Sequence, residues 1–262
     1  MKIGCCVNML AGGGDTVGMR YIPLIKELGY DYIELPLAQV MELDADKAES
    51  LKQVLRDNEI GCECFNNFFP ASVRLTGPNV STEKIEAYIE RSLQWVSGIG
   101  AKIVVFGSSV AKNIPPGFGK PEAFEQVVGT LRAAARRAGD LGITIAIECL
   151  NRAESNFINV LQEGLELLEA VNAPQVKLLV DYYHFALENE SYNTLEQNIG
   201  NIVHAHIAQP RARLIPAGDD GCAEFMQNLR RLGYDSRVSL ESAFIYREKE
   251  LEEGLRWLRN HS

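Results

Sequence analysis

The chain has 262 residues, 46% hydrophobic and 23% charged, enough to bury a large apolar core without staples. Its 26 Lys and Arg stand against 35 Asp and Glu, a formal charge of −9, which argues against a protein built to grip a nucleic-acid backbone. No secretory signal precedes the first apolar run, and no stretch approaches the ~18 apolar residues of a membrane span, so a cytoplasmic protein without nucleic-acid or membrane partners is expected.

In chain order, short β-rich runs alternate with amphipathic segments. KIGCCV (2–7) reads as a strand and MRYIPLIKEL (19–28) as a helix. The GGG at 12–14 between them lacks the GxGxxG spacing and is expected to form a mobile loop. The pairing repeats in YDYIEL (30–35) with DKAESLKQVLRD (46–57), and in IGCECF (60–65) with TEKIEAYIERSLQWVSGI (82–99). KIVVFG (102–107) precedes PEAFEQVVGTLRAAARRAG (121–139), and ITIAIEC (143–149) precedes NVLQEGLELLEAV (159–171). After VKLLVD (176–181) only SYNTLEQNI (191–199) looks helical, and weakly so. IVHAHI (202–207) with CAEFMQNLRRLG (222–233) and RVSLES (237–242) with KELEEGLRWLRN (249–260) complete the series.

Several strand runs are apolar at consecutive positions, as in parallel strands covered on both faces. Helix-to-strand joints such as ELGYDYIEL and RLGYDSRVSL place Gly where a helix must stop. The pattern predicts an α/β fold, a (β/α)8 TIM barrel formed as a single domain over residues 1–262, with a doubly wound sheet as the alternative. The six cysteines, at 5, 6, 62, 64, 149 and 222, have no CxxC spacing, and most fall in apolar runs. They read as small buried hydrophobes rather than as thiolate ligands or disulfides.

In a parallel barrel, chemistry collects where strands end. Glu148 closes ITIAIEC, Asp181 closes VKLLVD, and His206 and Glu241 lie near the ends of IVHAHI and RVSLES. A carboxylate at a strand end is commonly a helix cap or a solvated loop residue. Four ionisable residues on four consecutive strands converge, however, and three carboxylates sharing a small space need a cation. Mixed oxygen and nitrogen donors suit Mn²⁺, Mg²⁺ or Co²⁺ more than a thiolate-preferring ion, with Zn²⁺ also open. His204 shares a face with His206 but sits deeper, so a hydrogen-bonded core role is expected, and Glu34 is expected to act behind the ligands.

The segments IECLNRAE (147–154), DYYH (181–184), HAHIAQPRAR (204–213) and SLESAF (239–244) resemble the xylose-isomerase-like TIM-barrel superfamily, the sugar phosphate isomerase/epimerase group. Within it the pattern is similar to ketose 3-epimerases, with hydroxypyruvate isomerases and inosose dehydratases nearby. The resemblance implies that Glu148, Asp181, His206 and Glu241 bind one divalent metal, Mn²⁺ or Mg²⁺ first, and that Glu148 and Glu241 also serve as the acid/base pair. It further implies substrate contacts by Glu154, His184 and Arg213 on a small-molecule sugar. The chain departs from the epimerase pattern after His206, reading Ala208-Gln209-Pro210, and lacks an aromatic at the end of the first strand, where Val7 and Asn8 stand.

Moving a proton on carbon beside a carbonyl leaves an enediolate, whose charge a divalent cation stabilises while carboxylates shuttle the proton. Three long loops, 66–81, 107–121 and 208–221, are expected to act as lids or binding loops. Arg74, Lys112 and Arg211 are candidates for meeting a substrate anion or remaining solvated, and Phe68 and Phe69 for a wall over the sugar or a subunit contact in a homo-oligomer. An inosose-type dehydratase on the same site is the first alternative. An endonuclease-IV-like nuclease, disfavoured by only four His and the acidic balance, and a non-catalytic sugar-binding barrel are the others.

Overall fold

The computed structural model describes residues 1–262. Its strands are β1 (Lys2–Cys6), β2 (Tyr32–Pro36), β3 (Cys62–Asn66), β4 (Ile103–Phe106), β5 (Thr144–Glu148), β6 (Val176–Asp181), β7 (Ile202–Ile207) and β8 (Arg237–Leu240). They run parallel in sequence order, and β8 pairs with β1 to close a (β/α)8 TIM barrel. All eight expected strands form, with ends moved by at most two residues. The strand interiors are buried along their length, as β2 and β4 show, because helices cover the outer face and packed side chains fill the inner one.

The long helices obey their local signals. Thr82–Ile99 begins at Ser81, whose side chain accepts from the Lys84 N–H, and stops at Gly100 in the left-handed region. The weak segment 191–199 forms the short helix Tyr192–Asn198, and a second short helix that the pattern did not predict, Tyr182–Leu187, follows β6 directly. The latter begins within DYYH, where Asp181 Oδ1 accepts from the Tyr183 N–H at 2.9 Å. Most buried apolar residues form one layer between barrel and helices; a small second cluster, including Tyr32, Cys64, Ile103 and Leu179, fills the barrel interior. All six cysteines are buried and free. No helix is long and apolar enough to cross a membrane.

Two loop expectations change. Gly12 and Asp15 exchange backbone hydrogen bonds at 2.9 and 3.2 Å, so GGG is a tight turn in which Gly13 and Gly14 take positive φ. The Asp15 carboxylate then accepts from the N–H groups of Val17, Met19 and Arg20. The loops after β3 and β4 are stitched together: Leu75 N–H donates to Ala111 O at 2.9 Å, and Gln126 bonds both backbone groups of Gly77. Phe68 and Phe69 turn inward onto Tyr88 and Phe106, forming an anchor for this loop pair rather than a wall or a contact surface.

Glu190, between the two short helices that follow β6, ties their connection to helix Leu161–Val171 by accepting from the Leu161 N–H at 2.8 Å. Burial pushes its carboxyl up to about 7, with the Leu161 hydrogen bond opposing. A carboxyl raised in the fold binds more protons folded than unfolded, so its favourable contribution is complete below its ordinary value of 4.5 and is lost as pH rises toward 7. Glu190→Gln keeps an acceptor and removes the charge. It should stabilise the protein by about 1–3 kcal/mol near pH 8 and change little near pH 4, read from urea unfolding at the two pH values.

Candidate active site

Barrel closure brings the four strand-end residues together. Glu148 and Asp181 are the last residues of β5 and β6, His206 the penultimate residue of β7, and Glu241 the first beyond β8. The Glu241 N–H still bonds Ile207 O at 3.1 Å, which holds the residue at the rim although the strand has ended. One donor atom from each of the four lies within 4.8 Å of all the others, and all four residues are buried. Asp181 divides its carboxylate: Oδ1 caps the following helix while Oδ2 faces His184 and Arg213 at 3.5 and 3.4 Å. Cap and cluster member, set against each other in the sequence, are one residue.

His206 is held from both edges. Its Nδ1 lies 3.2 Å from Glu148 Oε1 and 3.2 Å from Glu241 Oε2, and its Nε2 lies 3.0 Å from Glu34 Oε1. Glu34 Oε2 is 2.7 Å from His204 Nε2 and accepts from Ser239 Oγ at 2.7 Å, which in turn contacts the Tyr32 hydroxyl at 2.9 Å. Glu34 and His204 therefore sit behind the cluster, as their strand positions lead one to expect.

The charges are unevenly placed. Burial pushes Asp181 up, and the Glu241 and Glu148 charges add to this while Arg213 opposes. Burial also disfavours charge on Glu241, but Arg213 and His206 outweigh it and hold that carboxyl low. Three buried carboxylates and an imidazole so arranged fit a divalent cation with mixed oxygen and nitrogen ligation. Cys6 and Cys64 border the Glu34 side, but burial pushes both thiols up, away from the thiolate that binds metals.

Glu148 and Glu241 line a cavity of about 160 Å³ together with Glu154, His184 and Arg213. Arg213, in the left-handed region at φ 54°, pairs with Glu241 Oε2 and approaches Asp181 Oδ2 at 3.4 Å and Glu154 Oε1 at 3.5 Å. Its guanidinium lies over the Tyr183 ring, 4.6 Å from the centroid. Asn151 N–H donates to His184 Nδ1 at 3.1 Å, so the ring proton sits on Nε2. Burial and then Arg213 pull His184 down to about 3, leaving it neutral with a buried donor that has no hydrogen-bond acceptor.

Not every cation reaches the cavity. Lys112 is fully buried with its ammonium donating to Glu148 O at 3.1 Å, so it braces the strand end instead of meeting an anion; burial lowers it to about 8. Arg74 is tied to the carbonyls of Val110 and Asn113, and Arg211 is an exposed side chain. Sequence reasoning missed Asn8, Asn66, Ser108 and Ser109 as cavity-lining groups. Their signal was position alone: Asn66 ends β3, and Asn8 and Ser108 follow β1 and β4 by two residues.

Gly107 makes room for Glu148. A Cβ there would lie 2.1 Å from Glu148 Oε2, with the carboxyl carbon at 3.3 Å. Gly107→Ala should displace the carboxylate by about 1 Å and lower turnover by about a hundredfold with the fold intact, as steady-state rates and circular dichroism would show.

This barrel is shared with known proteins. Residues 22–261 match the xylose isomerase-like TIM barrel family, and the chain belongs to it. It is 26% identical over 246 residues to a ketose 3-epimerase of Arthrobacter globiformis, covering 92% of this chain and 83% of that one. It is 25% identical over 232 residues to a D-psicose 3-epimerase of Agrobacterium fabrum, covering 84% and 78%. A crystal structure of D-allulose 3-epimerase from Methylomonas sp. with D-allulose superposes with a TM-score of 0.87 over 100% of this chain and 97% of that one, at 21% identity. The chain is an enzyme of this family.

Proposed function

We propose that the protein is a divalent-metal-dependent sugar epimerase that inverts the carbon next to a ketose carbonyl. The observation carrying this reading is the convergence of donor atoms from Glu148, Asp181, His206 and Glu241 within 4.8 Å, beside a polar cavity. These four residues hold the cation, Mn²⁺ or Mg²⁺ first. When bound, it supplies Lewis-acid stabilisation of the negative charge that develops as the carbon loses its proton.

The chain's own groups do the rest. Glu148 and Glu241 reach the cavity from β5 and β8, strands separated by two others in the barrel. One carboxylate removes the proton from carbon and the other returns one, so that both faces of an enediolate are served. His184 donates from Nε2 to a sugar oxygen, satisfying a buried nitrogen that makes no hydrogen bond within the protein, where Asp181 Oδ2 comes no nearer than 3.5 Å. Arg213 donates to another and, paired with Glu241, holds that carboxylate ionised and ready to accept a proton. Glu154 orients Arg213 and accepts from a substrate hydroxyl.

Incubating the Mn²⁺-loaded enzyme with ketoses and aldoses in D₂O tests the reading. Deuterium entering at C3 with inversion is the expected result. Proton transfer between C1 and C2 would make it an aldose–ketose isomerase, and loss of water a dehydratase of the inosose type. Tight sugar binding without exchange would make it a binding protein.

A further inference from the structure

Charge around the cavity is segregated. Every ionisable group that lines it comes from β5 to β8 and their loops, whereas β1 to β4 present only Asn8, Asn66, Asn67, Gly107, Ser108 and Ser109. Asn66 is 3% exposed; its Nδ2 donates to Asn8 Oδ1 at 2.9 Å and faces Glu241 Oε1 at 3.5 Å. Its Oδ1 is buried without any hydrogen-bond partner. A buried acceptor left unpaired is costly, and the residue that carries it lines the cavity.

We propose that Asn8 and Asn66 form an amide pair that reads hydroxyl groups on the part of the sugar remote from the reacting carbon. This deepens the epimerase reading and rests on it. A sugar hydroxyl both donates and accepts, and a side-chain amide offers both functions, whereas a phosphate or carboxylate only accepts at neutral pH and calls for cations. No cation is free for such a group. Arg213 is shared among three carboxylates, Lys112 is turned to Glu148 O, and Arg74 is bound to backbone carbonyls. The amide pair therefore selects a neutral, polyhydroxylated tail. Because the Asn66 amide also faces Glu241, a correctly seated tail bears on the placement of the proton-transferring carboxylate.

The test compares erythrulose, xylulose, fructose and fructose 6-phosphate by deuterium exchange with the Mn²⁺-loaded enzyme. In the wild type, exchange should favour fructose or xylulose over erythrulose, and fructose 6-phosphate should be poor. Asn66→Leu should lower the ratio of kcat/KM for the longer ketose over that for erythrulose by about tenfold or more, because a site built around a hydroxyl loses its discrimination with the partner. Asn8→Leu, at a less buried position, should lower the same ratio and serves if Asn66→Leu folds poorly by circular dichroism. Unchanged ratios in the folded variants, or fructose 6-phosphate handled as well as fructose, would overturn the amide-pair assignment while leaving the epimerase intact. Absence of exchange with every ketose would overturn the epimerase reading and this inference with it.

Discussion

Glu241→Gln should fold as a closed barrel yet exchange protons with substrate carbon about a thousandfold more slowly than the wild type at saturating Mn²⁺. The replacement preserves shape and an acceptor, so Arg213 and the Glu241 N–H bond to Ile207 O keep their surroundings. What disappears is an ionised carboxylate that can accept a proton from carbon and give one back, a contribution of about 10² to 10⁴ in general acid–base catalysis. The measurement is deuterium exchange followed by proton NMR, with the metal titrated until the rate no longer rises, so that weakened occupancy is not mistaken for lost chemistry. A rate within tenfold of the wild type would remove Glu241 from the acid/base pair.

Treatment with EDTA is expected to abolish turnover, and Mn²⁺ or Co²⁺ to restore it. The reason is electrostatic before it is chemical. Asp181, Glu148 and Glu241 are crowded and buried, and burial raises Asp181, so the cluster without a cation gains relief by binding a proton there. Metal and proton compete for this carboxylate, and the ion's hold should weaken as the pH falls. Binding to the folded state alone also stabilises it, by about 2.7 kcal/mol when the free ion is a hundredfold above its dissociation constant. Thermal unfolding with and without Mn²⁺ should therefore show a higher Tm for the loaded protein, and the difference should shrink in mild acid. An equal Tm and undiminished turnover after chelation would exclude the metal-dependent reading.

The barrel was legible because its evidence is periodic and repeated: eight apolar runs, each followed by a helical pattern or a glycine stop. The cluster was legible because four ionisable residues ended four successive strands. Side-chain destinations were less so. Lys112 follows β4 in an open-looking loop, yet the short helix Ser109–Lys112 turns its ammonium inward to Glu148 O. Arg74 looked like a free cation until two loops met across it, a contact with no local signature. Phe68 and Phe69 announced a need for burial but not its direction, which the Tyr88 and Phe106 rings decide. Asn8 and Asn66 lie 58 residues apart, and only barrel closure pairs them.

The chain of contacts from Tyr32 through Ser239 and Glu34 to His206 has a consequence for how the cup receives its ion. An imidazole gripped on one edge by a buried carboxylate has already surrendered its rotational freedom during folding. Little disorder is left to lose at loading, and a half-turn of the ring would break its bond to the fully buried Glu34. The receptacle is thus shaped by the floor of the barrel, so that ions differing in size must adapt to it more than it to them.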